Sequence, residues 1–451
     1  MADADATTER TADTEDVQPE RVLALRGILP NDDALCTLRV DEISIGRGEE
    51  SQFQLNFPGV SRLHAVVQKS GPLHTLRDLG SRNGTYINGK RIEHAPLTVG
   101  AIVRIGDWLG IVSEVEVDQE DQRFAEIAPG LWGGAVLARA AAPLFRAATS
   151  TVSVLLVGRT GSGKERIARA LHDLSSRKGR FHGVNCAALP ADLAEGELFG
   201  YRRGAFTGAD RGHLGQMRAA SGGTLFLDEI SDLSLPIQAK LLRALDTFEV
   251  TPLGEVSSTR TDVRLVTATQ QPLPDLVRSG RFREDLAARI CGLTVTLPEL
   301  DQRVADIPSL FALFLREHSG NTAPSVSTKL YERLCLYAWP ANVRELEQLA
   351  RRLLATHGLE PRLRRSFLPD ELREHPTISS VDAFEGGDRN ERDLERLRTT
   401  LGMTGGNVIR AAKMIGISRQ RAYRLIGSRR LTGLVAAIRD DSGGSSGGRS
   451  G

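Results

Sequence analysis

The sequence predicts a multidomain chain: a β-sandwich, then an α/β domain with an α-helical lid, then a small all-α helix-turn-helix. Between Arg21 and Glu116 the apolar runs are short and punctuated by Gly, Asn and Pro, as in an all-β sandwich. From about residue 131, apolar strand-like runs alternate with amphipathic patterns, which suits a sheet flanked by helices. After residue 391 the pattern is helical and basic. At 451 residues the chain is too long for a single core.

Composition is that of a globular protein, with 40% hydrophobic and 25% charged residues. The net charge of +1 conceals an asymmetry. Residues 1–20 carry seven acids and one Arg with little to bury, so they read as a disordered acidic arm. Between Glu391 and Arg430, ten Arg and Lys face three acids, a balance suited to nucleic acid. Cys36, Cys186, Cys291 and Cys335 form no CxxC pair, which argues against a disulfide framework and a zinc site. No apolar run approaches the ~18 residues of a membrane span, so a cytoplasmic protein without a membrane partner is expected. The expected boundaries are an arm at 1–20, the sandwich at 21–115, a linker at 116–130, the α/β subdomain at 131–300 and its lid at 301–370. A second linker at 371–390, a helix-turn-helix at 391–432 and a Gly/Ser-rich flexible tail at 433–451 complete the chain.

In the first domain the short runs are "VLALRG", "CTLRV", "AVVQ", "HTLRDL", "TYING" and "AIVRIG". Asn83-Gly84 and Asn88-Gly89 are tight-turn signals. Three loops together offer Arg47, Ser61, Arg62, Ser81 or Arg82, and Asn83: a guanidinium with hydroxyl and amide donors, as a dianionic phosphate requires. The segment resembles the fork-head-associated (FHA) domain through Gly46-Arg47, Ser61 with His64, and Ser81, Asn83, Gly84, Thr85, Asn88 and Gly89. The resemblance implies phosphothreonine-peptide binding by Arg47, Ser61, Arg62 and Asn83, with His64 holding the loop.

In "VSVLLVGRTGSGKERIARALH" an apolar strand, a Gly-rich loop and an amphipathic helix follow one another. Gly158, Arg159, Thr160, Gly161, Ser162, Gly163 and Lys164 fit GxxxxGK, in which backbone N–H groups face phosphates and the lysine reaches the outer ones. Position 165 is Glu, so the usual magnesium hydroxyl is missing. "GGTLFLDEI" ends a second apolar strand on Asp228-Glu229, the first acid suited to Mg2+ and the second to polarising water. These motifs predict ATP and Mg2+ as ligands. Arg283 and Arg289 are six apart and would lie on different faces of a helix, as arginine fingers or as solvated surface charges.

Residues 130–370 resemble the AAA+ core of bacterial enhancer-binding proteins that activate sigma-54 RNA polymerase, through "GRTGSGKE", "NCAALP", "ELFGYRRGAFTGAD", "GGTLFLDEI", "QAKLLRAL", "GRFREDLAARI" and "WPANVREL". The GAFTGA hexapeptide is the most specific of these. The resemblance implies a mobile loop of Gly204, Ala205, Phe206, Thr207, Gly208 and Ala209 that projects at a ring pore and touches sigma-54. It further implies that Asn185 holds Glu229, that Arg283 and Arg289 act in trans, and that Arg344 reads phosphate from the lid. Three departures stand out: Gln270 where the family has Asn, Arg159 second in the phosphate loop, and a lone arginine in Leu300-Asp301-Gln302-Arg303.

In "GGNVIRAAKMIGISRQRAYRLIGSRR", Val408, Ala411, Ala412 and Ile415 share a helical face, Gly416 breaks the helix and Ser418 can cap the next. Ser418, Arg419, Gln420, Arg421, Tyr423 and Arg424 are the expected major-groove contacts. The stretch resembles the Fis-type helix-turn-helix. Together these features predict an ATP-hydrolysing activator that binds enhancer DNA, assembles from dimer to hexameric ring, and remodels the sigma-54 RNA polymerase holoenzyme. Without a receiver domain ahead of the ATPase, its control is expected from a phosphothreonine-bearing protein or sister subunit. The competing expectation is a phospho-dependent adaptor that binds nucleotide with negligible turnover, supported only by Gln270 and the missing loop arginine.

Overall fold

A computed structural model describes residues 21–71, 73–116, 123–190, 192–207, 209–319 and 322–374, with isolated positions between 397 and 415. The expected DNA contacts Ser418, Arg419, Gln420, Arg421, Tyr423 and Arg424 lie outside the described residues, as does Gly208. Leu397, Val408 and Ala412 are described and are helical and buried. No helix among the described residues is long and apolar enough to cross a membrane.

The first domain contains β1 (Arg21–Gly27), β2 (Leu35–Thr37), β3 (Glu42–Gly46), β4 (Phe53–Gln54), β5 (Ala65–Ser70), β6 (Leu73–Asp78), β7 (Thr85–Ile87), β8 (Lys90–Ile92), β9 (His94–Pro96), β10 (Ile102–Ile105) and β11 (Trp108–Glu116). They form two sheets, ordered β2-β1-β11-β10-β7-β8 and β4-β3-β5-β6-β9. Leu25, Ile45, Val67, Leu76, Val103 and Ile105 fill the core between them. There Phe53 meets Trp108 edge-on, centroids 5.8 Å apart. The two Asn-Gly pairs behave differently. Asn88 (φ 49°) and Gly89 (φ 76°) are both left-handed and form the two-residue turn of the β7–β8 hairpin. At the first pair only Gly84 is left-handed, and it closes a longer loop.

A ribbon of β12 (Ala125–Ala128) and β13 (Leu131–Gly133) leads into α1 (Ala135–Arg146), β14 (Val154–Val157), α2 (Lys164–Asp173) and β15 (Phe181–Asn185). Then come α3 (Ala194–Phe199), α4 (Gln216–Ala219), β16 (Thr224–Asp228), α5 (Leu235–Thr247), the short β17 (Glu249–Val250) and β18 (Thr259–Arg260), and β19 (Arg264–Thr269). The subdomain closes with α6 (Leu273–Arg278), α7 (Glu284–Ile290) and β20 (Leu293–Thr296). The central sheet is parallel, ordered β15-β16-β19-β14-β20. Strand alternation sends Val154 and Leu156 to the face covered by Leu137 and Ile167, and Leu155 to the face covered by Leu241 and Leu286. Both faces are therefore buried, which explains the continuous apolar runs.

The lid starts with a 3₁₀ segment, Leu300–Asp306, and continues through α8 (Ile307–Ser319), β21 (Ser325–Val326), α9 (Thr328–Cys335) and α10 (Asn342–His357). In α10 Leu346, Leu349, Ala350 and Leu353 are buried, a one-face stripe at 3.6 periodicity.

Candidate functional site

The nucleotide cradle forms where β14 gives way to α2. Gly161 (φ 76°) and Gly163 (φ 104°) take conformations that a side chain would strain. A Cβ on Gly161 would also fall 2.1 Å from the Ala341 carbonyl oxygen, because the lid packs directly on the loop. Asn342 makes that contact on both sides: its amide donates to the Thr160 carbonyl at 3.1 Å and its oxygen accepts from Leu300 N–H at 2.8 Å. Lys164 is buried, and its ammonium donates to the Gly158 carbonyl at 2.8 Å and lies 3.6 Å from Glu229 Oε1.

The loop has the chemistry for a nucleotide phosphate. Ser162 Oγ is buried with no partner among the described residues, and no atom lies within 4 Å of where a Cβ on Gly163 would sit. Glu165 is exposed on the first turn of α2 and supplies no hydroxyl. A magnesium ion would rest on the Asp228 carboxylate, water and phosphate, a sparse protein set that Mg2+ accepts. Among the described residues no cluster of three or more metal-ligating side chains occurs.

Asp228 ends β16, and Glu229 follows with φ 53°, a left-handed turn that swings its carboxylate back over the sheet's end. Gln270, just after β19, donates its amide to Glu229 Oε1 at 2.9 Å. Asn185, which pairs with Asp228 in register, was expected on Glu229; its side chain instead accepts from Ala187 N–H at 3.0 Å and caps the next turn. The physical reason is reach: a 3₁₀ turn starts directly after Asn185 and offers its oxygen a local donor.

Arg283 and Arg289 lie at opposite ends of α7, and each is engaged within the chain. Arg283, the N-cap, forms a fork with Asp285 at 2.6 and 3.0 Å, which pushes the guanidinium further up and the carboxyl down. Arg289 donates to the Leu245 carbonyl at 2.8 Å and pairs with Asp246 at 3.3 Å. Arg344 is exposed on the first turn of α10, its Cβ 3.1 Å from where one on Gly161 would sit. Arg159 points outward to Glu299 at 3.2 Å.

The glycine-alanine loop leaves α3 at Gly200 (φ 91°) and is closed by Gly204 N–H to Ala209 O at 2.9 Å and Ala209 N–H to Phe206 O at 3.0 Å. Phe206 is 37% exposed at the tip, and Thr207 beside it is exposed. The Phe206 ring leans on Tyr201, centroids 4.9 Å apart, and Tyr201 in turn on His213 at 5.5 Å. The Leu253 turn braces the base through Arg202 N–H to Leu253 O at 3.1 Å.

At the sandwich end, Ser61 joins three loops. Its carbonyl accepts from Arg47 N–H at 2.9 Å, its hydroxyl from Arg82 N–H at 3.3 Å, and its N–H donates to His64 Nδ1 at 3.0 Å. Arg47, Arg62 and Asn83 are exposed around it. His64 is fully buried with Nε2 3.4 Å from the Gly84 carbonyl, and burial lowers its pKa, so the ring is neutral with the proton on Nε2. Ser81 is consumed by structure: its hydroxyl donates to Asp78 at 2.6 Å and accepts from Gly84 N–H. Gly46 is required by close approach, since a Cβ there would fall 2.0 Å from the Arg62 carbonyl oxygen.

Sequence patterns did not single out several residues that hold these sites. Asp78 accepts from Ser81 and Thr85 hydroxyls and from Gly80 and Ser81 N–H; burial pushes its carboxyl up, but these donors bring it below the usual range. Arg303 is buried and donates to the Ser162 carbonyl at 3.3 Å while facing Asp306 at 3.7 Å, and burial holds the Asp306 carboxyl high. The surviving arginine of the altered "LDQR" run was the available signal for this pair.

Fold and cradle together define a P-loop ATPase of the AAA+ type with a helical lid, preceded by a sandwich that groups Arg47, Ser61, Arg62 and Asn83 at one end. Residues 135–296 match the Sigma-54 interaction domain, residues 43–106 the FHA domain and residues 301–383 the AAA+ ATPase lid domain. The chain is 39% identical over 316 residues to the DNA-binding transcriptional regulator NtrC of Azospirillum brasilense, covering 63% of this chain and 66% of that one. It is 41% identical over 286 residues to the transcriptional regulatory protein GlrR of Escherichia coli, covering 62% and 63%. The chain thus spans just under two thirds of the length of these relatives. The structure of NtrX from Brucella abortus in complex with ADP aligns with TM-score 0.50 at 31% identity, covering 66% of this chain and 69% of that one. The chain belongs to the sigma-54-interaction AAA+ ATPases and carries an FHA domain.

Proposed function

We propose that the protein activates transcription from sigma-54 promoters, using ATP hydrolysis to drive the Phe206–Thr207 tip against sigma-54 in the RNA polymerase closed complex. One observation carries this: an exposed aromatic tip on a hinge of Gly204 and Ala205 stands in the same subdomain as a phosphate loop and acid pair. A tip that must change posture with nucleotide state needs small residues around one aromatic contact.

In the proposed cycle the phosphate-loop N–H groups and Lys164 bind the ATP phosphates, and Asp228 holds Mg2+, which neutralises phosphate charge when bound. Glu229 is the base that polarises water. In the resting geometry its carboxylate is taken up by Gln270 and faces Lys164, so it becomes available only when these donors are drawn away. Arg283 and Arg289 are proposed to exchange their intrachain partners for a neighbouring subunit's nucleotide in a homo-oligomeric ring, and Arg344 to sense phosphate from the lid. Arg47, Ser61, Arg62 and Asn83 are proposed to read phosphothreonine, and the C-terminal basic segment to bind enhancer DNA in the cytoplasm.

The test is open-complex formation at a sigma-54 promoter with holoenzyme, ATP and the full chain, beside Thr207→Ala. Opening by the parent and not by the folded variant is expected. A folded, ATP-binding parent that opens nothing would favour the nucleotide-gated adaptor.

A further inference from the structure

The sandwich and the lid of this chain share a buried contact that neither the phosphate cradle nor the phosphopeptide loops require. Arg104 on β10 and Glu332 on α9 are each 5% exposed, and Arg104 Nε donates to Glu332 Oε2 at 2.8 Å. The guanidinium also lies 3.7 Å from the centroid of the Tyr86 ring. Beside this pair Thr328, at the start of α9, donates its hydroxyl to the Asp107 carbonyl at 2.8 Å. Burying an ion pair costs desolvation, and Glu332 Oε1 is buried without a hydrogen-bond partner among the described residues, so the contact is costly to form and sensitive to how sandwich and lid dock.

This contact is continuous with the phosphate-reading loops. Asp107 N–H donates to the Pro58 carbonyl at 3.0 Å, and a Cβ on Gly106 would fall 2.5 Å from the Gly59 carbonyl carbon. The Gly59 carbonyl is in turn the acceptor of the Asn83 amide at 2.8 Å. A second line leads to the cradle. Asp306 accepts from Gly134 N–H at 3.1 Å and faces Arg303, which holds the Ser162 carbonyl of the phosphate loop. The Leu300–Asp306 segment that carries both packs against α9.

We propose that the FHA sandwich is a clamp on the lid of its own chain, released when a phosphothreonine peptide draws the Asn83 amide away from Gly59 and loosens Asp107 and Arg104 from α9. The proposal rests on the phosphothreonine reading of Arg47, Ser61, Arg62 and Asn83. The clamped sandwich restrains α9 and, through Asp306 and Arg303, the backbone of the phosphate loop. Release frees the lid to follow nucleotide.

Hydrogen exchange of the full chain, followed in peptides covering Thr328–Cys335 and Gly158–Lys164, tests it. The probe is a degenerate phosphothreonine peptide pool, with the unphosphorylated pool as control and binding monitored by fluorescence anisotropy. Arg104→Met and the nearly isosteric Thr328→Val should each speed exchange in α9 by about tenfold, and the phosphorylated pool should do the same to the parent. Should Arg104→Met fail to fold, Thr328→Val leaves every charge in place and carries the test alone. Exchange in Thr328→Val equal to the parent, or a bound pool that leaves α9 unchanged or more protected, would overturn the clamp. A pool that does not bind while Thr328→Val still exchanges faster would instead refute the phosphothreonine reading, and with it the release step.

Discussion

Replacing Gln270 by Asn shortens one side chain by one carbon and separates two roles for this residue. The Gln270 amide reaches Glu229 Oε1 at 2.9 Å. Removing one C–C bond, about 1.5 Å, leaves the Asn amide roughly 4 Å or more from that oxygen, beyond hydrogen-bond range. A hydrogen bond to a charged group is worth about 1.5–3 kcal/mol, and about 1.4 kcal/mol is a factor of ten. Lys164 still faces the carboxylate at 3.6 Å, so the lower end applies. If Gln270 restrains Glu229, Gln270→Asn should raise basal kcat for ATP hydrolysis by about tenfold, with KM changed less than about twofold. Steady-state phosphate release by the full chain measures both. A kcat that falls tenfold or more would refute the restraint and place the longer amide on the reacting phosphate instead.

Asn342→Ala removes the side chain that spans the Thr160 carbonyl and Leu300 N–H, leaving two polar groups without their partner at about 1–3 kcal/mol each. A KM for ATP raised severalfold, together with a lower unfolding temperature, is the expected result; an unchanged KM would show that the lid contact is dispensable. Gly46→Ala should weaken phosphopeptide binding by about tenfold or more, because the new methyl must displace the Arg62 carbonyl 2.0 Å away. Arg47→Ala should abolish that binding in calorimetry, and retained binding would refute the site. The sandwich should lose stability in acid in two stages. His64 has a folded pKa below its ordinary 6.5, so the unfolded chain takes up its proton first and stability falls as pH drops through 6.5. Asp78 is depressed below its ordinary 3.8, so its contribution is present above that value and lost as pH falls through it toward the folded pKa. Urea midpoints followed by tryptophan fluorescence should decline between pH 7 and about 5.5, and a flat midpoint in that range would refute the His64 assignment.

Local chemistry made much of the architecture legible in the one-dimensional chain. Asn88-Gly89 specifies a two-residue hairpin because both positions need left-handed backbone, and the structure places them so. The run into Lys164 specifies a phosphate loop because glycines, an amphipathic helix and a lysine must be contiguous for backbone N–H groups to converge. Asn83-Gly84 carries the same turn signal as Asn88-Gly89 but closes a longer loop, because Ser81 and Asp78 supply side-chain acceptors there.

By itself, then, the sequence determined which segments are strands, phosphate loop, acid pair and exposed glycine-alanine tip, since each depends on neighbours within a few positions. Only the tertiary structure decided which donor meets the Glu229 carboxylate. Asn185 ends β15 and Gln270 follows β19 at the same C-terminal end of the parallel sheet, but Asn185 finds a donor two residues away while Gln270 reaches across 41. Nor does any local pattern mark Arg104 and Glu332, 228 positions apart, as partners. An ion pair of this kind forms only once sandwich and lid have packed, its mutual attraction offsetting the desolvation cost, so its residues look like ordinary surface charges until the fold removes them from water.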